Sequence, residues 1–186
     1  MSQVRVAGIC AKCAQACPQK YDNRRKFNAS VYIACDETKR TEFINLISSI
    51  SENGNKISML IEEKAIVNLK ILESNTENIN EADIIMFCYE VGKEGEIQSL
   101  NREVNERKPK GVKVLVIINS DESVNESKTE INKEIINTIN PSVELQTSLK
   151  SIDEVKDLLK KAIFSYLEEK RPYWKENSED TGCLIA

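Results

Sequence analysis

The sequence predicts an α/β fold: a doubly wound, mainly parallel sheet with one antiparallel hairpin and helices on both faces. Three observations carry this. Ile84–Tyr89 and Val112–Ile118 are short, continuous apolar runs of the kind that strands buried on both faces require. Between such runs lie segments whose apolar residues recur at i, i+3, i+4 and i+7, the spacing of one helix face. Ile57–Glu62 and Ile66–Glu73 are separated only by Glu63-Lys64-Ala65. In the second, Val67, Leu69 and Ile71 alternate with more polar positions, so this pair reads as an antiparallel hairpin with one wetter edge.

Taken in order, residues 1–28 form a flexible, Cys-containing, basic-leaning arm without periodicity. The domain then occupies residues 29–170, and residues 171–186 are a polar tail. Val31–Cys35 is a buried strand. Glu42–Ile50 is a helix with Phe43, Leu46, Ile47 and Ile50 on one face, ended by Gly54-Asn55. After the hairpin comes strand Ile84–Tyr89, then a helix over Glu94–Arg107 with Ile97, Leu100 and Val104 inward. Val112–Ile118 is the most apolar strand and is expected at the centre of the sheet. A helix over Glu126–Ile139 aligns Ile131, Ile135 and Ile139, and Val143–Gln146 is a short last strand. The final helix opens on Ser151-Ile-Asp-Glu154, a capping-box pattern, and carries Val155, Leu159, Ile163 and Tyr166.

Composition narrows the function. The chain has 186 residues, 40% hydrophobic and 30% charged, with a net charge of −4, which fits one soluble globular domain. The acidic balance, with no basic stripe interleaved with aromatics, argues against a nucleic-acid partner. No histidine is present, which removes histidine acid–base catalysis and the commonest transition-metal ligand. No apolar run approaches the ~20 residues that a membrane helix needs. Six cysteines without a secretory signal fit reduced thiols in the cytosol.

Residues 34–41, Ala-Cys-Asp-Glu-Thr-Lys-Arg-Thr, follow an apolar strand and precede an amphipathic helix, the layout of G-x-x-x-x-G-K-[ST]. Ala34 and Lys39 stand at the glycine positions, Arg40 at the lysine, and Thr41 keeps the hydroxyl. Asp36 and Glu37 place carboxylates where phosphate oxygens would sit. Further on, Asn119-Ser120-Asp121-Glu122 follows an apolar strand, and Thr147-Ser148-Leu149-Lys150 lies between a short strand and the last helix.

With the element order, these segments resemble the Ras-type (Ras/Rho-like) small GTPases over roughly residues 30–170. The resemblance implies a P-loop NTPase-like fold. It also implies a nucleotide site for GTP or GDP with Mg²⁺, built from Lys39, Arg40, Thr41, Asn119, Asp121, Thr147, Ser148, Leu149 and Lys150. Thr147–Lys150 would match the family's E-T-S-A-K element and residues 119–122 its N-K-x-D. The family's D-x-x-G element is missing: Glu73-Ser74-Asn75-Thr76 stands in its place, with Glu77 at the position of the water-orienting glutamine. The two connections that hold the family's nucleotide-sensing switches are also short. No catalytic residue is assigned, and the expectation is a degenerate member with little or no GTP hydrolysis.

Cys183-Leu184-Ile185-Ala186 fits C-a-a-X, with a terminal alanine of the type usually farnesylated. One lipid anchors reversibly. The expected setting is therefore the cytoplasmic face of a membrane, with a cytosolic pool and an effector or regulator protein as partner. Cys10, Cys13 and Cys17 have zinc-like spacing, but a closed site needs a fourth ligand, so they read as a reduced or lipid-modifiable arm. Two other readings compete. One is an active, divergent GTPase. The other is a receiver-like domain using Asp36-Glu37, which lacks a phosphoacceptor aspartate at Tyr89-Glu90 and leaves the hairpin unexplained.

Overall fold

Apolar runs too short for helices become the strands of one six-stranded sheet. The structure, a computed structural model, describes residues 24–51, 56–72, 78–91, 93–119 and 128–175. The strands are β1 (Arg25–Ala34), β2 (Lys56–Ile61), β3 (Ala65–Ile71), β4 (Ile84–Glu90), β5 (Val112–Ile118) and β6 (Val143–Thr147). The helices are α1 (Glu37–Ser48), α2 (Asn78–Glu81), α3 (Glu94–Arg107), α4 (Lys128–Ile139) and α5 (Ile152–Lys170). The sheet order is β2-β3-β1-β4-β5-β6, parallel throughout except for the antiparallel β2–β3 pair.

Side-chain alternation sorts the core into two layers. Val31, Ile33, Val67, Ile84, Met86, Val114 and Val116 pack beneath Phe43 and Ile47 of α1 and Val155, Leu159, Ile163 and Tyr166 of α5. On the opposite face Tyr32, Ile85, Phe87, Leu115 and Ile117 pack against Ile79 of α2, Leu100 and Val104 of α3, and Ile135 and Ile139 of α4. The α/β class, the mostly parallel sheet, the hairpin and the helices on both faces thus follow the sequence reading. The inward role of Ile97 and Ile131 lies outside the described side chains.

Three boundaries and one place in the sheet differ. β1 begins at Arg25, inside the segment expected to be an arm, because Arg25–Val31 pairs with Ala65–Ile71 of β3. α1 begins at Glu37, five residues before the expected start at Glu42. The two innermost strands are β1 and β4, so β5 is not central although its bounds match the expectation. The domain also continues past residue 170. Trp174 is 1% exposed, packs edge-on against Phe164 at 5.7 Å between ring centroids, and donates its indole N–H to Glu168 at 3.0 Å. Arg25 Nη1 donates to the Tyr173 carbonyl at 2.6 Å, tying this end to the start of β1. Gly111 leads into β5 beside the β4 entrance, where a Cβ would collide with the Ala82 carbonyl.

Candidate functional site

In open α/β sheets, ligands bind outside the carboxyl ends of the parallel strands. Here those ends bring together the β1–α1 corner, Glu90 at the end of β4, Asn119 after β5 and Thr147–Lys150 after β6.

The β1–α1 corner is only two residues long, Cys35 and Asp36. Asp36 is the N-cap of α1, its Oδ1 accepting from the N–H groups of Thr38 at 2.9 Å and Lys39 at 3.1 Å. A helix N-terminus presents such N–H groups to anions, and here the chain's own carboxylate occupies them. Its second oxygen, Oδ2, is buried and has no hydrogen-bond partner. This corrects the expected layout, in which six residues precede an Arg-Thr pair at the helix mouth. An N-cap aspartate followed by an acidic first turn is a strong helix start, so α1 begins before Lys39-Arg40-Thr41 and draws all three inside it.

Their side chains are committed accordingly. Thr41 Oγ1 donates back to the Glu37 carbonyl at 2.8 Å. Arg40 donates from Nε to the Ile33 carbonyl at 3.0 Å, with its guanidinium 5.8 Å from the centroid of the Tyr32 ring. Behind it, burial raises the Tyr32 hydroxyl above its ordinary pKa, with Glu103 adding to the effect. Burial likewise raises Glu103, opposed by Arg107 and Arg40. Lys39 turns toward carboxylates, 3.0 Å from Glu42 and 3.7 Å from Glu90, and its pKa is raised, chiefly by the Glu42 bond. Glu90 is 8% exposed and also meets Lys93 at 2.6 Å. The lysines at this mouth therefore already have acidic partners.

Between this corner and α3 the described residues leave little space. A cavity of about 60 Å³ lies among Cys35, Asp36, Cys88, Ser99, Leu100 and Glu103. Small-molecule sites typically occupy ~300–1,000 Å³. A void of 60 Å³ has room for a water or two rather than a nucleotide.

The β6–α5 loop is closed in the same manner. Glu154, in the first turn of α5, accepts from Thr147 Oγ1 at 2.9 Å, Ser148 N at 3.0 Å and Ser148 Oγ at 2.8 Å. These bonds, led by that from the Ser148 side chain, hold the Glu154 carboxyl below its ordinary pKa. Leu149 N–H donates to Thr147 Oγ1 at 3.0 Å, and Leu149 sits at φ 54°, a left-handed conformation costly for a branched residue. Lys150 is exposed. Ser151 Oγ caps Glu154 N–H as the sequence pattern predicts, but the Glu154 side chain reaches back to the loop rather than to Ser151.

Asn119 N–H donates to the Thr147 carbonyl at 2.9 Å, so these two candidate segments do meet. Asp121, Cys183, Cys10, Cys13 and Cys17 lie outside the described residues. Among the described residues no group of three or more Cys, Asp or Glu side chains is placed to hold a metal ion, and no helix is long and apolar enough to cross a membrane. Sequence reasoning missed Asp36 as a cap and Glu90 and Glu154 as anchors. The Asp-Glu pair before a helical pattern was the available signal for the first. No family model matches the sequence, and no curated protein does.

Proposed function

We propose that this chain is a Ras-like binding module that no longer cycles. In this reading its P-loop NTPase-like architecture survives, its nucleotide mouth is closed by its own side chains, and a lipid on Cys183 tethers it to the cytoplasmic face of a membrane. It acts there by presenting surfaces to an effector or regulator protein. The sheet order with a single antiparallel hairpin supports the architectural part. The observation that carries the reading is the Asp36 carboxylate on the Thr38 and Lys39 N–H groups, the position a phosphate would need.

Phosphoryl transfer is positioning plus electrostatic stabilisation. The groups a phosphate chain would need are spent internally: Thr41 on Glu37, Arg40 on Ile33, Lys39 on Glu42 and Glu90. An active, divergent GTPase binding GTP or GDP with Mg²⁺ is the second reading, favoured by the same sheet order and by Lys39 and Lys93 at the mouth. It would require both lysines to leave Glu90 and the β1–α1 corner to open. Multiple-turnover GTP hydrolysis with Mg²⁺ separates the two. The binding-module reading expects no turnover above a protein-free blank, and turnover that disappears in Arg40→Ala would establish the other.

A further inference from the structure

On β1, β3 and β2, the sheet face opposite α1 and α5 forms three rows set by strand register: Lys26–Ile66–Leu60, Asn28–Asn68–Ser58 and Ser30–Lys70–Lys56. Every member is exposed except Ser30 and Ile66, which are half-buried, and Leu60 is 40% exposed. The middle row is a side-chain ladder. Ser58 Oγ donates to Asn68 Oδ1 at 2.8 Å, and Asn68 Nδ2 donates to Asn28 Oδ1 at 3.2 Å. Beside it, and reaching round the strand ends to Ile50 just past α1, opens a recess of about 600 Å³, within the range of ligand sites.

The third row is electrostatically unbalanced. Lys56 and Lys70 face each other directly across the β2–β3 pair, an arrangement of like charges that destabilises a sheet. No ion pair joins either lysine to an acid among the described residues, although closer-range pairs are present elsewhere on the surface. Among the described residues Asp83 is the one carboxylate lining the recess, and it is engaged: Ser30 N and Ser30 Oγ both donate to its Oδ2 at 2.8 Å. A lysine on edge strand β2 can be read as protection against edge pairing. That reading does not cover Lys70, which sits on an inner strand.

We propose that this face is a docking site for an acidic peptide segment of a partner protein. Its carboxylates would be received between Lys56 and Lys70, and its backbone by the amides of Asn28 and Asn68. Neighbouring strands are ~4.8 Å apart, so the two ammonium groups can converge on one carboxylate or bracket two. A recess floored by hydrogen-bonding amides suits a peptide backbone. A lipid surface would instead engage protruding basic and apolar side chains on a flat or convex face. The inference is independent of the nucleotide reading, since none of these residues belongs to the mouth at Asp36 and Glu90.

Lys70→Glu is the decisive variant. It places a carboxylate opposite Lys56, so the sheet gains an opposite-charge pair and folding is preserved while the site is removed. The probe is a fluorescein-labelled hexapeptide of four glutamates and two threonines, followed by anisotropy against the full chain. The expected result is saturable binding that weakens with added salt. Lys70→Glu should bind at least tenfold more weakly with an undiminished melting temperature, and Asn68→Ala several-fold more weakly. Lys133→Glu, the same charge change on an exposed position of α4, should bind like the parent. Parent-like binding by Lys70→Glu, or an equal loss in Lys133→Glu, would overturn the proposal. So would Lys70-dependent capture of phosphatidylserine vesicles without peptide binding.

Discussion

Replacing Asp36 with glycine separates a blocked anion site from one that never existed. The backbone at Asp36, φ −59° and ψ 157°, is one that glycine adopts freely. Glycine is itself a tolerable N-cap, so the capping loss is only a few tenths of a kcal/mol. Removing a carboxylate from the positive end of the helix dipole costs a further ~0.3–1 kcal/mol. Against this, the variant deletes the buried, partnerless Oδ2, and leaving such an atom unsatisfied costs ~1–3 kcal/mol. The variant should therefore melt within a few degrees of the parent, at ~2–4 °C per kcal/mol for a chain of this length. What changes is the fate of the Thr38 and Lys39 N–H groups, now open to an external anion. Sulfate at about five times its dissociation constant would stabilise by ~1 kcal/mol. The assay is thermal unfolding in sulfate against ionic-strength-matched chloride. The general salting-in or salting-out effect is common to both proteins and cancels. The sulfate increment of Asp36→Gly should exceed that of the parent by ~2–4 °C. Equal increments in two folded proteins would refute the argument that Asp36 stands in for an anion.

Two further outcomes follow from the same structure and a third from the sequence. Trp174→Ala empties a site that is 1% exposed and should cost ~3–5 kcal/mol, lowering the melting temperature by roughly 10 °C; an unchanged melting temperature would return residues 171–175 to the status of a tail. Glu154 has a depressed folded-state pKa, so its contribution is present above the unfolded value of ~4.3 and is lost as pH falls through the folded one. Glu154→Gln should therefore destabilise by about 1 kcal/mol at neutral pH, and the gap should narrow as unfolding curves are recorded at progressively more acid pH, closing below the folded-state pKa; a gap independent of pH would contradict the charge-assisted loop. On the proposed reading of Cys183-Leu184-Ile185-Ala186 as a prenylation signal, Cys183→Ser expressed in a eukaryotic cell should move from the membrane pellet to the cytosol, since a prenyl chain would supply reversible attachment at ~0.8 kcal/mol per buried CH₂. Retention in the pellet would shift the anchor to the region of Cys10, Cys13 and Cys17 or to a bound partner.

Elements whose pattern is dictated by burial, along one face of a helix or on both sides of a strand, were legible in the sequence. α3 and β5 have the bounds that periodicity and a continuous apolar run predict. The first half of β1 was not legible, because Arg25–Ser30 reads as a polar stretch. Only Phe27 and Ala29 turn toward the core there, and the other face is the open one carrying Lys26 and Asn28. The start of α1 was hidden by the phosphate-loop template: a template spaced for a long loop assigns Asp36 to a ligand cradle, whereas local capping makes it the N-cap of a helix that starts at Glu37. Trp174 was visible as a lone tryptophan in a polar run, a composition that argues for a tail until tertiary packing is known. At the candidate site, residue types were legible and their partners were not. Nothing in the spacing of Glu154, Thr147 and Ser148 says that the carboxylate turns back to the loop rather than to its capping partner.

On the proposed reading, the mouth beside Asp36, Glu90 and Glu154 is filled by the chain itself. Titrating the full chain against mant-labelled GTP and GDP, with and without Mg²⁺, tests it most directly. No saturable fluorescence change is expected with either nucleotide under either condition, in the parent and in Asp36→Gly alike, because Lys39, Arg40 and Thr41 lie inside α1 and are engaged by Glu42 and Glu90, Ile33 and Glu37. Stoichiometric, Mg²⁺-dependent binding by the parent, competed by unlabelled GDP, would contradict it.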